Sequence, residues 1–138
     1  MKKAVLISVC TVFAICCTAQ TDEPFTGKFQ NEEFGLTLSI ALETESVEVP
    51  RHELYGELPG YLVKTGTNYY WLITSADIVG NKARVSLIND YGSEDLEATL
   101  TLDSDTLLWL KQGNGSTIKV PNKGKWVKLP GTLGFIRK

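Results

Sequence analysis

Apolar residues recur at every second position along this chain, and beyond the leading residues no segment repeats them at helical spacing over three turns. Successive side chains of an extended strand point to opposite faces, so such alternation makes a ribbon with one greasy side. In "GLTLSIAL", Leu36, Leu38, Ile40 and Leu42 share a face, with Thr37, Ser39 and Ala41 opposite. In "DLEATLTLD", Leu96, Ala98, Leu100 and Leu102 oppose Glu97, Thr99, Thr101 and Asp103. The chain is therefore expected to be all-β and antiparallel, with one face of each strand in the core and one in water.

The breaks carry turn chemistry. Gly80-Asn81 separates "YYWLITSADIV" from "KARVSLIND", and glycine supplies the positive φ that a two-residue hairpin demands. "DYGSED", "DSD", "QGNGS" and "LPG" mark later turns. The pattern predicts about ten strands, at 25–30, 35–42, 45–49, 59–65, 69–79, 82–89, 95–102, 106–112, 117–120 and 125–137, the last broken near Pro130. Regular turns at this spacing suit an up-and-down β-barrel of about 8–10 strands or, alternatively, a β-sandwich. "VPRHELYGELPG" (49–60) resists a strand reading and is expected to be a loop with a short helical turn.

The first twenty residues, "MKKAVLISVCTVFAICCTAQ", place two lysines before an apolar run and small residues, the layout of a secretory signal peptide. The run is shorter than the roughly 20 residues that span a bilayer as a helix. Cleavage after Ala19 makes 1–19 the signal peptide and 20–138 one domain, secreted or periplasmic in a bacterial host. All three cysteines lie in the leader, so the mature chain holds no thiol. A lipid anchor at Cys16 or Cys17 is the alternative, although neither has the usual residues before it. Without the leader, 12 basic residues face 16 acidic ones, which disfavours nucleic acid as a partner.

Phe25, Gly27 and Phe29 share a face of the first strand, where the glycine leaves room for another side chain. The segment Gly27-Lys28-Phe29, with Arg137 in the closing "LGFIRK", resembles the closed end of calycin-type barrels, the group of lipocalins, fatty-acid-binding proteins and avidins. "TGKFQNEEFGLTLSI" is similar to the first hairpin of avidin-like proteins, and "DSDTLLWLKQ" with "FIRK" to small secreted bacterial lipocalin-like proteins. Phenylalanine stands where that family has its diagnostic tryptophan, and the biotin-contacting pattern does not continue past the first hairpin. The resemblance implies barrel closure by Gly27, Phe29 and Arg137, and non-covalent recognition of a small apolar ligand or a protein partner, as an inhibitor or immunity protein does. Eight to ten strands leave an interior that side chains nearly fill or that holds one small ligand.

Residues suited to a barrel mouth are Tyr55, Tyr61, Tyr69, Tyr70, Trp71 and His52, since aromatics with a polar tip serve interfaces and pockets. "NYYWLI" puts Tyr69 and Trp71 on one face and Tyr70 on the other. His52, the sole histidine, would need a nearby carboxylate to act as a general base in a hydrolase or isomerase. With one histidine and no mature cysteine, no metal or cofactor is expected. The turn carboxylates Asp90, Glu94, Asp95, Asp103 and Asp105 suit backbone capping, and none of the common hydrolase or phosphate-binding motifs occurs. The residues thus point to a binding protein rather than an enzyme. A pocketless structural component of the envelope is the other alternative.

Overall fold

The computed structural model describes residues 23–138. The leader, the cleavage point after Ala19 and the cysteines Cys10, Cys16 and Cys17 lie outside the described residues. Twelve strands follow one another: β1 (Thr26–Asn31), β2 (Leu36–Ala41), β3 (Val47–Glu48), β4 (Glu57–Leu58), β5 (Gly60–Lys64), β6 (Tyr70–Val79), β7 (Lys82–Ile88), β8 (Asp95–Leu102), β9 (Leu107–Gly115), β10 (Lys119–Asn122), β11 (Lys125–Lys128) and β12 (Thr132–Arg137). Eight of them close an antiparallel up-and-down barrel in the order β1-β2-β5-β6-β7-β8-β9-β12, and β12 returns to β1 through Phe29↔Arg137 and Gln30↔Ile136. A sandwich is therefore excluded. The stretches expected as strands at 45–49 and 117–120 do not enter the wall; they form two-stranded ribbons, β3-β4 and β10-β11. The segment 125–137 divides into β11 and β12, with Leu129, Pro130 and Gly131 between them.

Burial explains why some strands alternate and others do not. In β7 and β8 every second residue is buried, so Ala83, Val85, Leu87, Leu96, Ala98 and Leu100 face the lumen while their neighbours meet water. In β6 the run Tyr70–Ile73 is buried without a break. Trp71 and Ile73 belong to the luminal core, whereas Tyr70 and Leu72 join Val63 and Val49 in a second cluster on the outer wall. A continuous apolar run is what a strand covered on both faces requires. The cover is the long connection from β2 to β5, residues 42–59, which carries Val49 and Leu58 across the outside. A single 3₁₀ turn, Glu53–Tyr55, interrupts that strap.

The end of the barrel that holds the chain's first described residues is closed by a clip. Arg137 donates through Nη1 to the Thr26 carbonyl (2.7 Å), through Nη2 to Pro24 (2.8 Å) and through Nε to Asp105 (2.7 Å). Its guanidinium carbon lies 4.5 Å from the centre of the Phe29 ring. Gly27 has φ +145°, and a Cβ there would stand 2.8 Å from Arg137 Nη1, so the glycine makes space for the arginine. Glu43, at the start of the strap, accepts from Phe25 N and Thr26 Oγ1, both at 2.7 Å. Phe25, Phe29 and Phe135 fill the floor behind the clip, all without solvent exposure.

Arg137→Ala removes three charge-assisted hydrogen bonds and a cation–π contact, so denaturant unfolding is expected to show a loss of about 2–4 kcal/mol. Arg137→Lys should recover under half of it, because one ammonium cannot reach three divergent carbonyls. A change within about 0.5 kcal/mol for Arg137→Ala, the range of an ordinary surface substitution, would deny the clip its role in closure.

Candidate functional site: the aromatic rim

The opposite end of the barrel, where β5, β7 and β9 finish, gathers most of the described polar-tipped aromatics, Trp109 on the wall of β9 excepted. Three connections build it. Residues 116–131 leave β9, form the β10-β11 hairpin and return to β12. The hairpin lays Ile118, Val120 and Leu129 into the luminal core. Its base is pinned by Gln112, whose Oε1 accepts from Ile118 N and whose Nε2 donates to the Pro130 carbonyl, both at 2.8 Å. Trp71 Nε1 donates to the Lys119 carbonyl at 2.9 Å, which satisfies the indole inside the barrel.

The second connection, residues 89–94 between β7 and β8, is organised by Asn89. This buried side chain accepts from Ser93 N (2.8 Å) and Glu94 N (3.0 Å) and donates to Ser93 Oγ (3.1 Å). The asparagine thereby replaces the backbone partners that a tight turn leaves unpaired. Asp90, Tyr91 and Glu94 are held on its outer side. Asp90 Oδ1 lies 2.9 Å from His52 Nε2, and Glu94 Oε2 lies 3.1 Å from Lys119 Nζ. One short loop therefore ties down the strap on one flank and the hairpin on the other.

Two aromatic groups meet across this wall because Tyr69 and Tyr70 are neighbours with opposite faces. Tyr69 packs against Trp71 (6.4 Å between ring centres), Tyr91 (5.4 Å) and Trp126 (4.8 Å). Tyr70 packs edge-on against Tyr61 (5.2 Å) and His52 (5.8 Å), and His52 against Tyr55 (5.7 Å). Tyr69 and Tyr70 are buried, Trp71 fully so and inside the barrel, Tyr61 is half-buried, and Tyr55 is 53% exposed. Of the six residues singled out from sequence, the fold thus brings His52 and Tyr55 of the strap together with Tyr61 and Tyr70 of the wall. It sets Tyr69 and Trp71 beneath the hairpin. Two rim residues were not among them: Tyr91, 74% exposed, and Trp126, 52% exposed. Leu54, on the 3₁₀ turn beside Tyr55, is fully exposed.

The lumen is packed with side chains of the core cluster. Clefts instead lie outside. One of about 310 Å³, in the strap, is lined by Glu48, Val49, Pro50, Glu53, Gly56 and Glu57. Another of about 350 Å³ runs over β7, β8 and the end of β9. The carboxylate beside His52 is Asp90 rather than the adjacent Glu53, and their contact spans 38 positions of sequence. His52 is absent from the lining of the strap cleft. Among the described residues no group of three or more His, Cys, Asp or Glu could hold a metal ion, and no helix is long and apolar enough to cross a membrane.

Burial pushes the Tyr69 phenol above its ordinary range; Asn89 opposes this by hydrogen bonding, and Glu94, Tyr91 and Asp90 reinforce it. Tyr70 is raised in the same way, first by burial and then by Tyr61, with Arg51 opposing. Comparison with protein-family models, with curated proteins and with solved structures found no match. The architecture itself, a closed eight-stranded antiparallel barrel, is compatible with the calycin fold.

Two outcomes are expected. His52→Ala should speed amide exchange across residues 43–59 by about tenfold while global stability falls by under about 1 kcal/mol, because the His52–Asp90 contact holds the strap and not the barrel. Asp90→Ala should act in the same direction, and the double variant should add little to His52→Ala, which has already lost the shared contact along with the rings beside His52. Alkaline unfolding supplies the second. A phenol raised in the folded state stabilises fully below its unfolded value of about 10, and that contribution is lost as pH rises through the folded value. Tyr69→Phe should flatten this high-pH loss; an unchanged pH profile would contradict it.

Proposed function

We propose that the protein is an exported, calycin-like binding module that grips a protein partner with its aromatic rim, as an inhibitor or immunity protein would. One observation carries this reading: bulky apolar side chains of the core cluster crowd the barrel interior, while Tyr55, Tyr91 and Trp126 stand half or more exposed around one short loop. Tyrosine and tryptophan are over-represented at binding hot spots because they present large area at low conformational cost. The rim is also pre-organised. Asn89, the His52–Asp90 pair, the Lys119–Glu94 pair and the Gln112 clamp fix its three connections before any partner arrives. Export is supported by the leader, with the mature chain starting at Gln20, and the calycin reading by the Gly27, Phe29 and Arg137 closure.

The hydrolase alternative draws on the His52–Asp90 pair, yet a general base needs its free nitrogen aimed into a cleft that admits substrate. Here His52 is packed between the Tyr55 and Tyr70 rings, and it acts as a clasp for the strap.

Protein purified from its own host is expected to show a bound protein in native mass spectra. Tyr91→Ala with Trp126→Ala should weaken that complex by about 30-fold or more, the loss expected of hot-spot aromatics. A co-purified small apolar molecule, retained by the aromatic variant, would overturn the reading in favour of a luminal ligand.

A further inference from the structure

Charge is distributed unevenly over the rim. Residues 106–138 contain seven basic residues and no acidic one, although the chain as a whole is acidic. Within that segment the β10-β11 hairpin concentrates Lys119, Lys123, Lys125 and Lys128 around Trp126. Two of these lysines sit where they cost the hairpin stability. Lys119 lies directly opposite Lys128, and like charges in a cross-strand pair repel. Lys123 occupies the turn at φ +54°, a conformation that suits asparagine, aspartate or glycine better. Lysines held at positions that local folding disfavours suggest an anion outside the hairpin. Lys119 already has Glu94, which leaves Lys123, Lys125 and Lys128 without an ion pair among the described residues.

The strap is the opposite in sign. Residues 43–57 hold five glutamates against one arginine. Glu43 is used by the N-terminal segment, but Glu48, Glu53 and Glu57 make no ion pair among the described residues and line the 310 Å³ cleft with Val49 and Pro50. Beside them stand Leu54 and Tyr55, both exposed. The strap and the hairpin flank the same loop, fastened to it at Asp90 and Glu94, and Tyr91 stands exposed between those two anchors.

We infer that the rim binds a second copy of this chain about a two-fold axis near Tyr91, the lysine hairpin of each copy lying on the acidic strap of the other. The inference rests on the rim being a protein-binding surface and names the partner. A two-fold interface must be self-complementary, the same patch serving both copies. A surface with a basic lobe and an acidic lobe on either side of one exposed ring meets that condition: half a turn about the ring brings each lobe against its opposite. Trp126 and Lys125 then face the strap cleft, where the Val49 and Pro50 lining receives apolar area and the three glutamates receive the ammonium groups. An anionic membrane is the less suitable occupant, because the strap's glutamates beside the hairpin would be repelled from it.

Sedimentation velocity of the purified protein tests this directly. Wild type is expected to dimerise at low ionic strength, with a dimer Kd at least about tenfold weaker when salt rises from about 0.01 M to about 1 M and the screening length falls from about 30 Å to about 3 Å. The variant carrying Lys123→Glu, Lys125→Glu and Lys128→Glu should be monomeric, and so should the variant carrying Glu48→Lys, Glu53→Lys and Glu57→Lys. Mixed, the two should form a one-to-one heterodimer. That result requires both to be folded, and Tyr91→Glu should abolish association without touching either lobe. A wild-type monomer at low salt, failure of the mixture to pair, or recruitment of monomers to phosphatidylglycerol vesicles in place of dimerisation would overturn the inference. A monomer whose aromatic variant still loses a host protein would sink this inference alone. A dimer indifferent to Tyr91 and Trp126 would count against the rim reading as well.

Discussion

Closure of the sheet governs everything else in this molecule. A strand at an open edge exposes a row of unpaired backbone groups, and only a closed barrel removes both edges. Here closure depends on β12 meeting β1, a short pairing of two register partners that Arg137 reinforces by gathering carbonyls from Pro24, Thr26 and Asp105. The guanidinium suits this task because its donors diverge in one plane and do not lose their charge. Gly27 is the counterpart of that choice: any Cβ there would occupy the arginine's place.

Closing at eight strands also sets the width of the lumen, and width decides where function can sit. A ring of this size is filled once the inward side chains are leucine, isoleucine, valine and phenylalanine, as they are in the core cluster. What recognition surface remains must come from connections. Most connections in the wall are short, so the two long ones, 42–59 and 116–131, carry the variable chemistry. One wraps the outside and the other covers an end. The first is acidic and the second basic, and both converge on residues 89–94.

Much of the wall was legible before any coordinates. The pattern located seven of the eight barrel strands and ran the eighth, β12, together with β11 across the break near Pro130; Gly80-Asn81 announced the β6-β7 turn, and the opposite facing of Tyr69 and Tyr70 followed from period two alone. The segment 49–60 contains the expected helical turn, but its end does not stay a loop: Glu57–Leu58 pairs with Val47–Glu48 as β4, and Gly60 opens β5. What alternation cannot say is which ribbons enter the wall. The stretches 45–49 and 117–120 read as strands like the others, yet they pair as β3-β4 and β10-β11 outside the closed ring. The site was legible in part for a similar reason. His52 and Tyr55 stood out as polar-tipped residues in an odd loop, but the partner Asp90 comes from another connection and no local pattern links them. Tyr91 was hidden by its company: "DYGSED" reads as turn chemistry, and the exposed ring within it carries no local pattern of its own.

The neighbouring tyrosines explain how connections so far apart in sequence act as one surface. Tyr69 passes through the wall to support Trp126 and Tyr91, and Tyr70 passes the other way to support His52. Tyr70 is held in the ladder opposite Val63, and Tyr69, directly before the strand, is buried against Trp71 and Trp126. The strap and the hairpin therefore rest on adjacent residues, with the loop at 89–94 tying them together a second time. A partner that touches both lobes meets a surface whose relative placement was settled when the barrel folded, so little ordering entropy opposes the contact. Under the proposed binding role, the same geometry would suit a broad macromolecular occupant. Lobes that cannot close around a small molecule gain affinity only from something wide enough to cover both.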